Sequence, residues 1–218
     1  MLNKLPSRKD IYLFRSKITR WFNKNKRNYP WRKTRDPFKV LIAEMMLSRT
    51  KANQVKPVYE HFFKEFPDIE SLEEAENKKL EKVLHPLGLN WRIPSFGLVA
   101  REIREKYQCR VPETREELTL LPGVGDYVAG AVLSLAYDKK EWIVDVNVVR
   151  IFKRYFGLKT SVERRRDKNI IQLAKMYVSC KNPRKANLAI LDFTALVCTS
   201  INPNCQKCVM RKTCFRIL

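Results

Sequence analysis

The stretch 120–135 constrains the fold of this chain more than any other, because a tight turn in it runs directly into an apolar helix. Pro122 fixes one backbone angle, while Gly123 and Gly125 permit positive φ and carry no side chain. The turn around Val124 is therefore able to present bare N–H groups to an anion, and the following helix points its positive end the same way. The pattern predicts two helices joined by an anion-binding turn.

The residues around this turn narrow the choice of anion. No Gly-Lys-Ser/Thr follows it and no β-type run precedes it, which argues against a nucleotide P-loop or a dinucleotide-binding turn. A backbone phosphate of a nucleic acid is the better ligand, and the pattern is typical of a helix-hairpin-helix motif. The same residue types also occur in helix–helix turns of purely structural role, so this motif alone leaves both interpretations open.

The net charge favours the nucleic-acid interpretation. Lys and Arg number 44 against 23 Asp and Glu, a formal charge of +21, and the excess runs along the whole chain instead of being confined to a tail. A folded chain with this excess repels itself unless a polyanion neutralises it, and nucleic acid is the usual one. An anionic membrane and a basic surface without any such partner are the other interpretations.

The remainder of the chain predicts an all-α protein. Apolar residues recur at helical spacing in 11–25, 38–47, 58–66, 72–84, 93–107, 149–157, 163–177 and 186–198, and no segment keeps a two-residue alternation. In the first segment this stripe includes Leu13 and Phe14, which we assign to the core. With 218 residues, 44% of them apolar, the chain is able to bury one large core or two smaller ones that share a cleft.

No run of membrane-spanning length and no secretory signal is visible in the sequence. We therefore expect a protein that does not engage a membrane. The expected location is the cytoplasm of a prokaryotic-type cell, in association with the nucleoid.

Two acidic residues lie where the surrounding sequence is apolar. Glu44 falls inside 38–47, a segment apolar nearly all round that predicts a buried helix. A carboxyl buried there without a partner suits a general acid or base, whereas a partner arginine or a backbone hydrogen bond would make Glu44 structural. Asp145 falls inside 143–149, where it caps the next helix, acts as a catalytic carboxylate, or does both.

Four of the six cysteines are grouped near the end of the sequence: Cys198, Cys205, Cys208 and Cys214. A thiol cluster without secretory context is more typical of metal binding than of disulfides. Zinc and iron–sulfur clusters both accept four thiolates, but zinc sites usually pair two short hooks, and here only the middle interval is short. We therefore predict a [4Fe-4S] cluster, held in loops that also carry Lys207, Arg211 and Lys212.

Together the turn at 121–125, the aspartate at 145 and the cysteine spacing resemble the endonuclease III superfamily of DNA glycosylases. The resemblance covers nearly the whole chain. It implies two α-helical lobes: a six-helix barrel at 29–139, and a second lobe built from 1–28 and 140–218 with a cluster loop at 198–214. It further implies a monomer that binds mismatched double-stranded DNA in the cleft between the lobes.

Within that superfamily, Tyr127 is the position that separates the activities. Endonuclease III has a lysine there, whose amine forms a Schiff base with the sugar, and a phenol is unable to do so. The chain therefore resembles the monofunctional members, the MutY adenine glycosylases and the related thymine-DNA mismatch glycosylases. MutY enzymes have a glutamine pair where this chain has Ser48-Arg49, and they continue into a further domain, whereas this sequence ends shortly after Cys214. The resemblance thus implies removal of thymine or uracil opposite guanine.

The same resemblance assigns roles to individual residues. Asp145 would stabilise positive charge on the deoxyribose and position water, Tyr127 would lie beside the sugar, and Glu44 would contact the flipped base or the water. The remaining positions are expected to contact DNA or to hold the site: Arg49 as a plug, Leu89 as a wedge, Asn147 as a support, and the backbone of Gly123, Val124 and Gly125. Two alternatives stay open, an adenine glycosylase acting on A:G or A:8-oxoguanine pairs and a DNA-binding protein of this fold without catalysis.

Overall fold

The computed structural model describes residues 5–88, 90–159, 161 and 164–217. Those ranges contain helices and no β-strand, so the all-α prediction is confirmed. The α-helices are α1 (Arg8–Asn25), α2 (Pro37–Leu47), α3 (Ala52–Glu65), α4 (Ile69–Glu73), α5 (Asn77–Leu84), α6 (Ile93–Tyr107), α7 (Arg115–Leu120), α8 (Asp126–Leu135), α9 (Val146–Phe156), α10 (Lys168–Val178) and α11 (Pro183–Leu196). Short 3₁₀ segments lie at Pro30–Arg32, His85–Leu87, Asn90–Arg92, Arg164–Arg166 and Arg211–Thr213. None of the helices described is both long and apolar enough to cross a membrane.

Internal contacts divide the chain into two compact units. One combines the segment up to Arg27 with everything from Asp138 onward, and the other is Asn28–Tyr137. The first unit therefore takes its helices from both ends of the sequence, α1 and α9–α11, while the second contains α2–α8.

In the first unit, α1 packs against α10 and α11. A capping box between Ser7 and Asp10 starts α1, and its buried face centres on Phe14, whose ring lies 4.7 Å from Tyr155 and 5.7 Å from Tyr177 between centroids. Leu13 is 44% exposed, so its assignment to the core is wrong. At a helical spacing Leu13 lies next to the buried face, and only the position of the neighbouring helices decides which side of the stripe is covered.

In the second unit, α2 packs against α8. Nearly every residue of α2 is buried, as its sequence predicts, and α8 is buried continuously from Val128 to Leu135. The α2 helix begins at Asp36, whose carboxylate accepts hydrogen bonds from the Phe38 and Lys39 N–H groups. These two apolar helices therefore lie inside one core.

The helix predicted over 72–84 is instead two helices, with α4 ending at Glu73 and α5 beginning at Asn77. The buried positions Ile69, Leu72, Leu80 and Val83 keep a helical period across the break, so periodicity alone does not reveal it. Both pieces pack against α6. Each of the two helices makes its own contacts with α6, and the sequence pattern contains no sign of these contacts.

Candidate functional site

The turn between α7 and α8 is built around a buried valine. Val124 is 6% exposed, and its N–H donates to the Leu121 carbonyl at 3.1 Å, which closes the turn. That N–H is therefore used inside the protein. The side chain of Val124 anchors the turn in the core, so the neighbouring glycines form the exposed part of the hairpin.

The two glycines of the turn have different conformations. Gly123 has φ +76°, and a Cβ there would lie 2.9 Å from Cβ of Ser95, so both the backbone angle and the space require glycine. Gly125 is extended, with φ −105° and ψ −179°, and nothing lies within 4 Å of a Cβ built on it. Of the two glycines, only Gly123 needs a positive φ. Gly125 instead leaves the surface of the turn without a side chain.

This bare surface is the N-terminus of α8. Gly125 is the N-cap and has no side chain with which to accept the first N–H groups of the helix. Arg115 lies against the same turn, with Nη1 donating to the Asp126 carbonyl at 2.7 Å. Oδ1 of Asp126 lies 3.8 Å from the same nitrogen, so the guanidinium offsets the charge of this carboxylate. The helix start, which lacks a capping side chain, therefore remains suited to bind an anion such as a phosphate.

The same unit carries the two predicted catalytic residues Glu44 and Tyr127. Glu44 lies on α2 with 3% of its surface exposed, and Tyr127 lies half-buried in the first turn of α8. Since α2 packs against α8, the fold places both residues on one pair of neighbouring helices. Asp145 and Asn147 belong to the other unit.

Arg49 occupies the loop between α2 and α3. It is exposed and has φ +64°, a left-handed conformation that is uncommon for a residue other than glycine. Such conformations are retained where the surrounding structure enforces them, and they often mark functional loops. Leu89, the predicted wedge, lies outside the described residues.

In the first unit, Asp145 is the N-cap of α9. Its Oδ1 accepts hydrogen bonds from the N–H groups of Asn147 at 2.9 Å and Val148 at 2.7 Å, so the capping interpretation is confirmed. Its Oδ2 accepts from Nδ2 of Asn147 at 2.5 Å. The carboxylate is half-buried and held by three donors, which keeps it in one orientation.

A chain of hydrogen bonds continues from Asp145 to the cysteine loop. Arg150 donates from Nη1 to Oδ1 of Asn147 at 2.6 Å and from Nε to the carbonyl of Cys198 at 3.0 Å. Burial lowers the pKa of Arg150. Sequence reasoning missed this residue, although Arg150 follows Asn147 by three positions on a predicted helix and so had to share a face with it.

The four grouped cysteines line one cavity in the first unit. The cavity is partly open to solvent, and its other walls include Arg154, Phe193 and Met210. All four thiols are half-buried, and burial raises the pKa of Cys208 and of Cys214. The four cysteines thus share one cavity inside the first unit.

Arg154 contributes most of the polar contacts around this cavity. Its Nη1 lies 3.6 Å from Sγ of Cys198 and donates to the Thr199 carbonyl at 2.6 Å, while Nη2 donates to the Ser200 carbonyl at 3.0 Å. A guanidinium beside thiols suits a group of negative charge. Sequence reasoning missed Arg154 as well, because the contact depends on how the cysteine loop folds back onto α9.

Within the described ranges, no group of three His, Cys, Asp or Glu side chains is placed to hold a metal ion. The thiols surround a cavity and do not converge on one point. Thiolates are ligands of zinc ions and of iron–sulfur clusters alike, so the [4Fe-4S] cluster stays a prediction.

Comparison with known proteins identifies the family to which this chain belongs. A family model described as HhH-GPD superfamily base excision DNA repair protein matches residues 42–165. A thymine/uracil-DNA glycosylase of Methanothermobacter thermautotrophicus is 37% identical over 203 residues, covering 93% of this chain and 92% of the relative. An adenine DNA glycosylase of Buchnera aphidicola subsp. Schizaphis graminum is 32% identical over 94% of this chain, but over 59% of its own length. The solved structure of a thermostable thymine-DNA glycosylase superposes with a TM-score of 0.88 at 36% identity, covering 96% of this chain and 97% of that one.

Proposed function

We propose, since the chain belongs to the HhH-GPD superfamily of base excision DNA repair proteins, that it is a monofunctional glycosylase that removes thymine or uracil mispaired with guanine. The enzyme class follows from the family, whose named relatives are DNA glycosylases that hydrolyse N-glycosidic bonds. The observation that carries the choice of base is the 37% identity to a thymine/uracil-DNA glycosylase along almost the full length of both chains. Duplex DNA that contains the mismatch would be bound by one copy of the chain.

Binding begins with the DNA backbone. The uncapped start of α8 and the guanidinium of Arg115 are suited to hold a phosphate, and the +21 charge supplies the long-range attraction. These contacts carry no sequence information, so they position the enzyme without selecting a base.

Selection requires that the target nucleotide leave the helix. Rotating a base out of the duplex costs a few kcal/mol, and less for a mismatch than for a matched pair. Arg49, exposed at its loop, would fill the vacancy left by the base, and Leu89 would act as the wedge. The lower cost of opening a mismatch is one source of the enzyme's discrimination.

The chemical step breaks the bond between the sugar C1′ and N1 of the pyrimidine. The bonding electrons leave with the base, positive charge develops on the deoxyribose, and a water oxygen adds to C1′ after giving up a proton. Asp145 would stabilise the developing cation and orient or deprotonate the water, with Asn147 holding its Oδ2. Glu44 would contact the flipped base or the water.

Tyr127 determines what happens after the base has left. A lysine amine at this position would attack C1′ and form a Schiff base that leads to strand cleavage, whereas a phenol packs or hydrogen-bonds beside the sugar. The product is therefore an intact strand with an abasic site.

We also propose that Cys198, Cys205, Cys208 and Cys214 hold a [4Fe-4S] cluster. The cavity that they line, the half-burial of all four thiols and the guanidinium of Arg154 support this assignment. The bound cluster would supply a rigid centre for the loop at 198–214, whose exposed Lys207, Arg211 and Lys212 face solvent.

One incubation tests the proposed function. The purified protein is mixed with duplexes carrying T:G, U:G, A:8-oxoguanine or a matched T:A pair, and each sample is split before treatment with alkali. We expect cleavage of the T:G and U:G strands only, and only after alkali. Cleavage of the A:8-oxoguanine duplex alone would support the adenine alternative, for which the 32% identity to an adenine DNA glycosylase is the specific observation. No cleavage of any duplex would contradict the proposed function.

A further inference from the structure

The guanidinium of Arg92 connects the start of α6 to the loop after α2, both in the second unit. Arg92 ends the 3₁₀ segment Asn90–Arg92 and is the N-cap residue of α6, yet its side chain reaches back to the loop after α2. Its Nη1 donates to the carbonyls of Met45, at 3.0 Å, and Ser48, and its Nη2 donates to Oγ1 of Thr50 at 3.1 Å. Its Nε is buried and has no acceptor among the described residues, so the two terminal nitrogens alone bind the loop.

These acceptors flank Arg49 on both sides. The Ser48 N–H donates to the Met45 carbonyl and the Thr50 N–H to the Leu47 carbonyl, both at 3.3 Å, so residues 45–50 form a tight turn with Arg49 at its exposed end. Arg49 has φ +64°, a conformation that a non-glycine residue rarely adopts unless its neighbours enforce it. Arg92 binds the residue before Arg49 and the residue after it.

The segment that precedes Arg92 is tied to this loop and to the first turn of α3 by one further contact each. Oγ1 of Thr50 donates to the Leu87 carbonyl at 3.3 Å, and Nε2 of Gln54 donates to the Pro86 carbonyl at 2.7 Å. Just beyond Arg92, Ser95 contacts the hairpin turn at Gly123, so closely that a Cβ on that glycine would clash. The loop that carries Arg49, the described residues 85–88 and 90–92, and the hairpin turn at 121–125 are thereby joined in one unit.

We propose that Arg92 is a positioning residue, which holds the turn at 45–50 so that Arg49 enters the duplex in one fixed orientation. The inference rests on the proposed function, because it takes Arg49 as the residue that replaces the flipped base. Burial lowers the pKa of Arg92, and the positive charge of Arg49 lowers it further. The hold itself rests on the three acceptors, which fix the backbone on both sides of Arg49.

A double-mutant cycle between Arg92 and Arg49 tests this role. The proteins are the wild type, Arg92→Met, Arg49→Ala and the double variant, and the probe is a G:T duplex with 2-aminopurine beside the target thymine. Affinity is measured by anisotropy, and base extrusion by the rise in 2-aminopurine fluorescence. Arg92→Met loses the charged hydrogen bonds that hold the turn at 45–50. We expect this variant to bind the duplex about tenfold more weakly and to show a smaller rise in fluorescence.

The coupling between the two sites separates positioning from general stability. If Arg92 acts through Arg49, the double variant should bind within about twofold of Arg49→Ala, because nothing is left to position. Independent losses that multiply in the double variant would overturn the proposal. Arg101→Met is the matched control: Arg101 lies on α6 with 57% of its side chain exposed and faces Glu73, and it should change neither readout.

A second measurement needs no DNA. Trypsin cleaves after Arg49 and Lys51, and release of the turn in Arg92→Met should speed cleavage at these two bonds several-fold in the free protein, as followed by mass spectrometry. Thr50→Val removes one acceptor without touching Arg92 and should give a smaller increase. If trypsin cleaves Arg92→Met and Thr50→Val at the wild-type rate after Arg49 and Lys51, Arg92 does not hold the turn at 45–50.

The two experiments also distinguish this inference from the function on which it rests. If the wild type neither prefers nor processes the G:T duplex, the proposed function fails, and the protease result still reports whether Arg92 holds the turn. If the wild type is active and Arg92→Met shows wild-type affinity, fluorescence and cleavage, only the inference about Arg92 fails.

Discussion

At the scale of single residues, the proposed mechanism would give Asp145 two tasks that use different parts of one carboxylate. Oδ1 caps α9 through two backbone N–H groups, and Oδ2 is held by Asn147, which Arg150 supports in turn. The cap fixes the position of the side chain, and the proposed chemistry would use its negative charge. The cap by itself already accounts for a carboxylate in an otherwise apolar segment.

Substitutions at Asp145 should separate the cap from the charge. Asparagine retains an oxygen that caps the helix and loses only the hydrogen bond from Nδ2 of Asn147, so Asp145→Asn should lose less stability than Asp145→Ala. It should keep its duplex affinity while base release falls by about 10²-fold or more. Asp145→Ala should lose base release equally and also lower the free energy of unfolding by about 1 kcal/mol. Single-turnover base release and denaturant unfolding are the measurements. Retained turnover in Asp145→Asn would remove Asp145 from the mechanism.

Tyr127 allows a test by gain of a new activity. Tyr127→Lys places an amine in the first turn of α8, where it should attack the sugar carbon and form a Schiff base. We expect a protein–DNA adduct when borohydride is added to the variant on its substrate duplex, and none with the wild type. Tyr127→Phe, treated identically, is the control without an amine. Failure to trap any adduct would count against the position assigned to Tyr127.

At the scale of elements, the α7–α8 hairpin uses its two glycines for different reasons, and substitution should show this. Gly123→Ala forces a left-handed alanine and a 2.9 Å approach to Ser95, so the free energy of unfolding should fall by about 1–2 kcal/mol. Gly125→Ala meets open space in an extended backbone, so stability should change by less than about 0.5 kcal/mol. Its methyl group should nevertheless weaken duplex binding several-fold. Denaturant unfolding measures the stability of the two variants, and anisotropy measures their duplex affinity. Equal losses of stability in Gly123→Ala and Gly125→Ala would contradict the different reasons given for the two glycines.

The start of α10 should give stability that depends on pH. Burial acts to raise the pKa of Asp167, but hydrogen bonds from the N–H groups of Ser161 at 2.6 Å, Ile170 at 3.2 Å and Asn169 at 2.9 Å outweigh it, so the pKa lies below its ordinary value. A lowered folded-state pKa means that the carboxylate stabilises the fold above its ordinary pKa of about 4, and that this contribution is lost as the pH falls through the lowered value.

We therefore expect Asp167→Asn to unfold at a lower temperature than the wild type at pH 7. Asparagine retains the oxygen that caps α10, but its amide nitrogen does not accept a hydrogen bond from the Ser161 N–H, and the negative charge at the helix start is lost. We expect the two losses together to cost about 1 kcal/mol, which corresponds to about 2–4 °C in a chain of this size. The difference should shrink below about pH 4. Asp138→Asn is a control at a residue whose carboxylate does not cap an α-helix in the described structure. A difference that is constant from pH 7 to pH 3 would contradict the charge-based explanation.

At the scale of the whole molecule, the cysteine cavity lies in the unit whose helices come from the two ends of the sequence. A group bound there would connect α9 to the last residues of the chain, because Arg154 and Tyr155 already hold that loop through their carbonyls. Metal binding and folding of this unit should thus be coupled.

Analysis of the purified protein should find iron and acid-labile sulfide in equal amounts, with the colour of an iron–sulfur cluster. Cys205→Ser or Cys208→Ser should lose both and lower the temperature of unfolding, because the ligands hold the loop together. Cys109→Ser, a cysteine of the second unit, should keep both. A colourless protein that contains zinc would contradict the cluster.

From the sequence alone, the helical class and the candidate residues were predictable, since periodic apolar positions, turn residues and cysteine spacing are local properties. The burial of Glu44 followed from the apolar residues around it, and the capping by Asp145 from its place before a helix. The tertiary structure decided the break between α4 and α5, the exposure of Leu13, and the positive φ at Gly123 but not at Gly125. It also decided the long-range hydrogen bonds of Arg92 and Arg150. Each of these depends on atoms far apart in the chain, and only packing brings such atoms within the few ångströms over which hydrogen bonds and steric contacts act.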